Sequence, residues 1–322
     1  MQIGMIGLGK MGMNMVKRLL KGRHSVIVYD QSAEKAKEAV RGAPGARAAS
    51  SPEELAGLLK RPRVVWLMIP AGKPVDDAVE RLKGVLGDGD LVVDGGNSFY
   101  KDDILHAQQL WERGIRYMDI GVSGGIWGLK EGYSLMAGGD RKDFKRIEPI
   151  LKTLAPKDGY LYCGPVGAGH FVKMVHNGIE YGLMAAYGEG FQILHASPYN
   201  EGLSLEKVAH LWNRGSVVRS WLLELVEDAF KKDEDLSGVK GFVEDSGEGR
   251  WTVEQAIELG VPAPVTAIAL FERFRSRETE SFSDKLQAAL RNEFGGHAVL
   301  REKEKAGAVS TQKTVRTRGR AR

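Results

Sequence analysis

The stretch "IGMIGLGKMGMNM" (residues 3–15) decides the fold. A short β-rich run leads into Gly7, Gly9 and Gly12 in a G-x-G-x-x-G spacing, and the apolar residues that follow recur at helical intervals. A lone match of this kind says little. Here it follows a strand, opens a helix, and is followed by Asp30 at the end of the next β-rich run, which together make a dinucleotide-binding fingerprint. Gly7 permits the tight turn, Gly9 lets the backbone approach a pyrophosphate, and Gly12 lets helix and strand pack closely. The helix N-terminus offers unpaired N–H groups to the anion. Leu8, Lys10 and Met11 complete the loop, and Asn97 from a later loop joins the expected cofactor contacts. A carboxylate at Asp30 accepts hydrogen bonds from a ribose 2'-hydroxyl and repels a 2'-phosphate, and no Arg follows it directly, so NAD is favoured over NADP.

Outward from this motif the first half alternates strand-like and helix-like runs. "SVIVYD" (25–30), "VVWLMI" (64–69), "LVVDGG" (91–96) and "RYMDIG" (116–121) are short, β-rich and bounded by turn residues, with helical segments between them. "YSLMAGG" (133–139) and "GYLYCG" (159–164) are two further strand candidates. The series implies an α/β, Rossmann-type doubly wound, mostly parallel sheet. After Gly169 the apolar spacing fits a helical period almost throughout, so an all-α domain is expected to follow. The chain reads as a dinucleotide-binding domain (1–166), a helical substrate and oligomerisation domain (167–300) and a basic tail (301–322).

Composition bounds the function classes. The chain has 322 residues, 43% hydrophobic and 27% charged, as in a soluble globular protein of about two domains. Its formal charge is +4, but the tail alone holds eight Lys/Arg against two Asp/Glu, leaving 38 against 40 elsewhere. The tail lacks aromatics and apolar periodicity and is expected to be disordered. With no basic recognition fold beside it, nucleic acid is not expected as a partner. No apolar run is long enough to span a bilayer, the N-terminus enters a strand directly, and Cys163 stands alone, so a reducing, cytoplasmic location is expected. No metal is expected.

"FVKMVHNGIEYG" (171–182) carries the chemistry. Lys173, Asn177 and Glu180 fall near one helix meridian with His176 and Tyr181 flanking it, in surroundings too apolar and glycine-rich for a solvent-facing helix. Loops expected at the carboxyl edge of the sheet, "GGNSFY" (95–100) and "GVSGGIWG" (121–128), present Asn97, Ser123, Gly124 and Gly125 toward the same cleft. Each of these is also ordinary turn chemistry.

Taken together, "GLGKMG", "DGGNS", "GVSGG" and "KMVHNGIEYG" resemble the β-hydroxyacid dehydrogenase superfamily, and within it the decarboxylating 6-phosphogluconate dehydrogenase family. The resemblance continues through "DSGEGRWT" (245–252), "GVPAPVTAIALFERF" (260–274) and "RNEFGGH" (291–297). It implies that Lys173 is the general base for the substrate's 3-hydroxyl and Glu180 the general acid that protonates C1. It further implies that Asn97, Ser123, Gly124, Gly125, His176 and Asn177 hold the carboxylate end. Tyr181, Arg250, Thr252 and Arg273 match positions that hold a phosphate. Arg291 and His297 match a tail that enters a neighbouring subunit of a homo-oligomer, dimer or tetramer.

The sequence departs from the family in two places. Arg250 stands where Lys is common, and only 17 residues separate Arg273 from Arg291 where longer members carry an extra block of helices. A short form with one helical unit is expected. Two other readings remain open here: a non-decarboxylating NAD-dependent dehydrogenase of the 3-hydroxyisobutyrate or glycerate type, and a nucleotide-binding regulatory protein.

Overall fold

The computed structural model describes residues 1–300; the basic tail at 301–322 lies outside the described residues. The chain begins β1 (Gln2–Ile6), α1 (Lys10–Lys21), β2 (Ser25–Tyr29), α2 (Ala33–Val40), β3 (Ala46–Ala48), α3 (Pro52–Leu58), β4 (Val64–Leu67) and α4 (Lys73–Lys83). It continues with β5 (Leu91–Asp94), α5 (Tyr100–Trp111), β6 (Arg116–Ser123), the short α6 (Gly128–Glu131), β7 (Ser134–Gly139), α7 (Arg141–Leu154) and β8 (Tyr160–Gly164). The strands form one sheet in the order β3-β2-β1-β4-β5-β6-β7-β8. β1 to β6 run parallel; β7 pairs antiparallel to β6, and β8 parallel to β7. The order reverses at β1, flanked by β2 and β4, which is the crevice where ligands of doubly wound sheets bind.

Both faces of the sheet are buried, which is why its strands read as continuous apolar runs. Val26, Val28, Val64, Trp66, Leu91 and Val93 pack into one core, while Ile27, Val65, Leu67 and Val92, one residue out of phase, pack into the other. The "ARA" edge strand β3 carried no β signal in the sequence, since a three-residue strand has too few residues to alternate.

Helices occupy the rest: α8 (Ala168–His195), α9 (Leu205–Trp212), α10 (Trp221–Lys232), α11 (Glu248–Leu259), α12 (Pro264–Arg275) and α13 (Phe282–Gly295). The helical apolar spacing reaches back to Val217, but α10 starts only at Trp221, because the Ser220 side chain accepts from the Leu223 N–H and caps it there. No helix among the described residues is long and apolar enough to cross a membrane.

α8 is the element that positions the site. At 28 residues it is about 42 Å long. Its first turn lies directly on the sheet, with no side chain between. A Cβ on Gly169 would sit 2.4 Å from the Met136 carbonyl and 2.6 Å from that of Asp119, and a Cβ on Gly138 would sit 2.7 Å from the Gly169 nitrogen. The N-cap residue Gly167 offers no side chain; the fully buried Asp119 on β6 caps the helix from outside. Its carboxylate accepts from the Gly167 N–H at 2.7 Å and the His170 N–H at 2.8 Å. Charge-assisted bonds at a helix N-terminus are the stronger kind, and here they satisfy donors that would otherwise be orphaned.

Asp119→Asn keeps one acceptor oxygen and loses the charge. Its urea midpoint should fall by the equivalent of about 2 kcal/mol at unchanged m value. An unchanged midpoint would mean that Asp119 does not hold α8 on the sheet.

Candidate active site

The glycine-rich turn after β1 has the shape its spacing implies. Gly7 adopts φ +98°, and a Cβ there would lie 2.3 Å from the Met68 carbonyl oxygen. A Cβ on Gly12 would lie 2.1 Å from the Gly7 carbonyl oxygen, so the helix reaches the strand only because that position is bare. Gly9 faces open space, with nothing within 4 Å of its Cβ position. Two glycines are thus required by packing and the third leaves room for a phosphate group over the start of α1, where Gly9 is the N-cap. Asp30 binds the turn to the end of β2: its carboxylate accepts from the Leu8 N–H at 2.6 Å and the Ser32 N–H at 2.8 Å. Lys10 is exposed, Met11 half-buried and Leu8 buried beneath the turn.

At the far edge of the crevice the expected polar stripe is present on α8. Lys173 is 8% exposed. It reaches this position because β6 has a glycine opposite: a Cβ on Gly121 would come within 2.3 Å of the Lys173 Cβ. The Lys173 ammonium donates to the Asn177 side-chain oxygen. His176 links the neighbours, with Nε2 3.3 Å from Ser123 Oγ and Nδ1 3.0 Å from the Asn177 oxygen. The Glu180 carboxylate lies 3.9 Å from His176 Nδ1. Ser123, Lys173, His176, Asn177 and Glu180 therefore form one connected group. Gly124 and Gly125, at φ +128° and +52°, turn the chain beside Ser123, and Asn97 is exposed at the end of β5.

Burial pushes the Lys173 amine below its ordinary value, while Glu180 and Glu248 push it back up. The neighbours that act on Lys173 are carboxylates, and they oppose the effect of burial.

The residues expected around a phosphate lie further along α8 and on α11 and α12. The Arg273 guanidinium stacks 3.4 Å above the Tyr181 ring and donates to the Glu244 carbonyl at 2.8 Å. Arg250 binds Asp245 through two bonds, at 2.6 and 3.2 Å, and Arg277 binds the same carboxylate at 2.6 Å. Two guanidiniums thus share the Asp245 carboxylate, and Arg273 has no carboxylate partner of its own among these contacts. Asp245 and Arg277 were not singled out from sequence, although "DSGEGRWT" held the first. The Thr252 hydroxyl lies 2.9 Å from the Met174 carbonyl and 2.7 Å from that of Glu248, bonds within the fold itself. Arg291, on α13, and His297, just past it, are exposed, and α13 buries none of its residues.

Sequence reasoning also missed the polar network beneath α8. His170 Nδ1 lies 2.7 Å from Asp103, which accepts from the Tyr117 hydroxyl at 2.8 Å. Asp94 accepts from the Gly96 N–H at 2.9 Å and the Ser98 hydroxyl at 2.7 Å. Burial alone would lower His170, but Asp103, Asp94 and Asp119 raise it to about 10, and burial lifts Asp103 to about 6 against the pull of His170. The aspartates interrupting otherwise apolar β5 and β6 were the available sign. Asp94, Asp103 and His170 also offer ligand atoms within 4.8 Å of one another, but Asp94 and Asp103 already have hydrogen-bond partners within the network.

Residues 2–164 match the NAD binding domain of 6-phosphogluconate dehydrogenase, and residues 169–310 match the 6-phosphogluconate dehydrogenase C-terminal domain. The Bacillus subtilis protein YqeC is 46% identical over 298 residues, 92% of this chain and 99% of that one. An NAD(+)-dependent, decarboxylating 6-phosphogluconate dehydrogenase of Haloferax volcanii is 43% identical over 304 residues, 94% of this chain and 99% of that one. The decarboxylating enzyme of Synechococcus elongatus is 37% identical over 92% of this chain, which spans 66% of that relative. Among solved structures, Plasmodium falciparum 6-phosphogluconate dehydrogenase superposes with a TM-score of 0.78 at 30% identity, covering 95% of this chain and 67% of that one. A Mycobacterium tuberculosis 3-hydroxyisobutyrate dehydrogenase, at 22% identity and a TM-score of 0.68 over 83% of this chain and 90% of that one, shares the fold.

The His170 network has a pH signature. Its folded-state value lies above the ordinary 6.5, so the stability it contributes is complete below about pH 6.5 and is lost as pH rises through about 10. Asp103, lifted to about 6, titrates at the acid edge of that window, so the His170 slope is read above about pH 8. His170→Gln should be less stable at about pH 8 by roughly 3 kcal/mol, and the gap to the parent should close on approaching pH 10. A gap constant from pH 8 to 10 would mean that His170 is not held charged.

Proposed function

Because the chain belongs to the 6-phosphogluconate dehydrogenase family, we propose that Lys173 and Glu180 are the two proton-transfer groups of its reaction. That reaction is the oxidative decarboxylation of 6-phosphogluconate to ribulose 5-phosphate and carbon dioxide. NAD, when bound, supplies the hydride acceptor. The chain fits it: open space at Gly9, the free N–H groups at the start of α1, and Asp30 at the end of β2 are the features a dinucleotide with an unmodified ribose requires.

One observation carries the assignment: a buried lysine and a half-buried glutamate on the same face of one helix, joined through Asn177 and His176. Oxidising the 3-hydroxyl requires a base at its proton. Burial lowers the proton affinity of Lys173, the direction a general base requires. Once C3 is a ketone, the C1 carboxylate is β to a carbonyl; carbon dioxide leaves, its electrons form a C2–C3 enediol, and the Lys173 ammonium returns its proton to the 3-oxygen. The former C2, now C1 of the product, must then be protonated as the 3-hydroxyl reverts to a ketone. Lys173 takes up that hydroxyl's proton, so a second group must supply the carbon's, and Glu180 does so.

Ser123, Gly124, Gly125, His176, Asn177 and Asn97 serve the carboxylate and hydroxyl end. About 12 Å further along α8, Tyr181 with Thr252, Arg250 and Arg273 serves the phosphate. The phosphate finds there a cluster with positive charge to spare, with Arg250 presenting a planar fork in place of the family's more usual Lys.

We read the functional form as a homo-oligomer with Arg291 and His297 delivered to a neighbouring site. Supporting this, α8 and α12 expose Ile179, Leu183, Val265, Ile268 and Phe271, and α13 extends without burying a residue. The single half-buried Cys163 suits a reducing cytoplasm.

The purified protein with NAD and 6-phosphogluconate should release carbon dioxide one for one with NADH; NADH without carbon dioxide would overturn the decarboxylation assignment to this site. Lys173→Met should abolish hydride transfer, and Glu180→Gln should slow product formation by about a hundredfold or more. Either variant at the parent rate removes that residue from its role. Light scattering should give at least twice the chain mass, and a monomer at micromolar concentration would refute the delivery of Arg291 in trans.

A further inference from the structure

Glu248 is a carboxylate without a role in the reaction described so far. It is the first residue of α11 and is 2% exposed. Among the described residues neither of its side-chain oxygens has a hydrogen-bond partner. Such burial is costly for a carboxylate unless something nearby balances it. It is not an accident of loose packing, because the first turn of α11 is pressed onto α8. A Cβ on Gly249 would sit 2.4 Å from the Tyr181 ring, a Cβ on Gly178 would sit 2.7 Å from the Thr252 side chain, and Thr252 reaches the Met174 carbonyl at 2.9 Å. Those contacts bring Glu248 beside the stretch of α8 that carries Lys173, and its charge acts on both Lys173 and Tyr181.

The reaction makes a demand that this residue meets. After the 3-hydroxyl O–H bond breaks and its proton passes to the Lys173 amine, an ammonium stands in a site from which water is largely excluded. Glu180, if it is to protonate C1, is at that moment a neutral acid and offers no counter-charge. A buried cation left alone would raise the energy of the state from which carbon dioxide must depart. His176 cannot help, since its only possible charge is positive. Asp119 faces α8 from β6, but both its oxygens are held by the first turn of that helix. Glu248 is the remaining carboxylate acting on Lys173.

We propose that Glu248 is a positioning residue for this reaction: the counter-charge that stabilises protonated Lys173 from hydride transfer until the 3-oxygen takes that proton back as carbon dioxide leaves. The proposal rests on the roles given to Lys173 and Glu180 above. It divides the labour of two carboxylates on one lysine. Glu180, half-exposed and beside His176, serves the proton transfer to carbon; Glu248, sealed and without a hydrogen-bond partner among the described residues, acts on the lysine by charge alone.

Glu248→Gln removes the charge and keeps the shape. Lacking a carboxylate that favours the ammonium, Lys173 should lose its proton more readily. The acid limb of kcat/KM for NADH formation from 6-phosphogluconate should therefore move to lower pH by roughly half a unit or more. The kcat should fall about tenfold, with KM for 6-phosphogluconate within about twofold of the parent, and Glu248→Asp should restore part of the loss. The lysine 13Cε resonance absent from spectra of Lys173→Met reports the same titration without turnover, and its midpoint should move in the same direction in Glu248→Gln.

An unmoved midpoint and acid limb would overturn the proposal whatever happens to kcat. A raised KM at unchanged kcat would overturn it in favour of a contact to a substrate hydroxyl. Failure of the underlying reading looks different: the parent would not turn over 6-phosphogluconate, or Lys173→Met would remain active. The resonance midpoint would still decide whether Glu248 acts on Lys173.

Discussion

The position of Lys173 rests on backbone meeting backbone where α8 crosses β6 and β7. Gly138 and Gly169 remove every side chain from that crossing, Gly121 makes room for the lysine stem, and Asp119 fixes the helix end with two charged hydrogen bonds. Each element of this arrangement is costly alone. Glycine inside a helix or strand destabilises it by roughly 0.5–1 kcal/mol, and a fully buried aspartate loses its hydration. The combination works because the cap repairs both: it satisfies the donors that a glycine N-cap cannot, and those donors satisfy the aspartate. The sheet thereby sets the register of α8, and the register sets which residues face the crevice.

Electrostatics at the site follows from what surrounds α8 at each level. At its foot three buried aspartates enclose His170, and the imidazolium balances part of their charge. One turn further on, burial lowers the proton affinity of Lys173 while Glu180 and Glu248 act in the opposite direction. Near Tyr181 the sign reverses, with Arg250 and Arg277 on Asp245 and Arg273 over the Tyr181 ring. On the proposed assignment, a substrate with a carboxylate at one end and a phosphate at the other would meet hydrogen-bonding groups first and guanidiniums second, a gradient that would favour one direction of binding.

Much of this was legible in the residues. The turn "GLGKMG" with Asp30 specifies strand, turn and helix at once, since each glycine answers a different steric demand and the demands appear in the structure as three different Cβ environments. The Lys173 stripe was visible because polar residues on an apolar, glycine-rich helix are conspicuous. Three things were not legible. The β3 edge strand is too short to show a period. The start of α10 depends on Ser220, whose capping role is indistinguishable in sequence from any other serine before an apolar run. The buried partners Asp119, Asp103 and Glu248 owe their importance to what folds onto them from distant segments. A glutamate in "SGEGRW" reads as solvated until α11 is seen lying on α8.

The glycine floor beneath α8 also governs motion. Where side chains interdigitate, two elements can slide by repacking; where backbone rests on backbone there is nothing to repack. The sheet, the first turns of α8 and Lys173 are therefore a single rigid body. The same device recurs higher on the helix: bare Gly178 and Gly249 bring the first turn of α11 onto α8, so close packing continues past Tyr181. What lies above it is softer, since the Arg250 and Arg273 side chains rest on the rings of Phe274 and Tyr181.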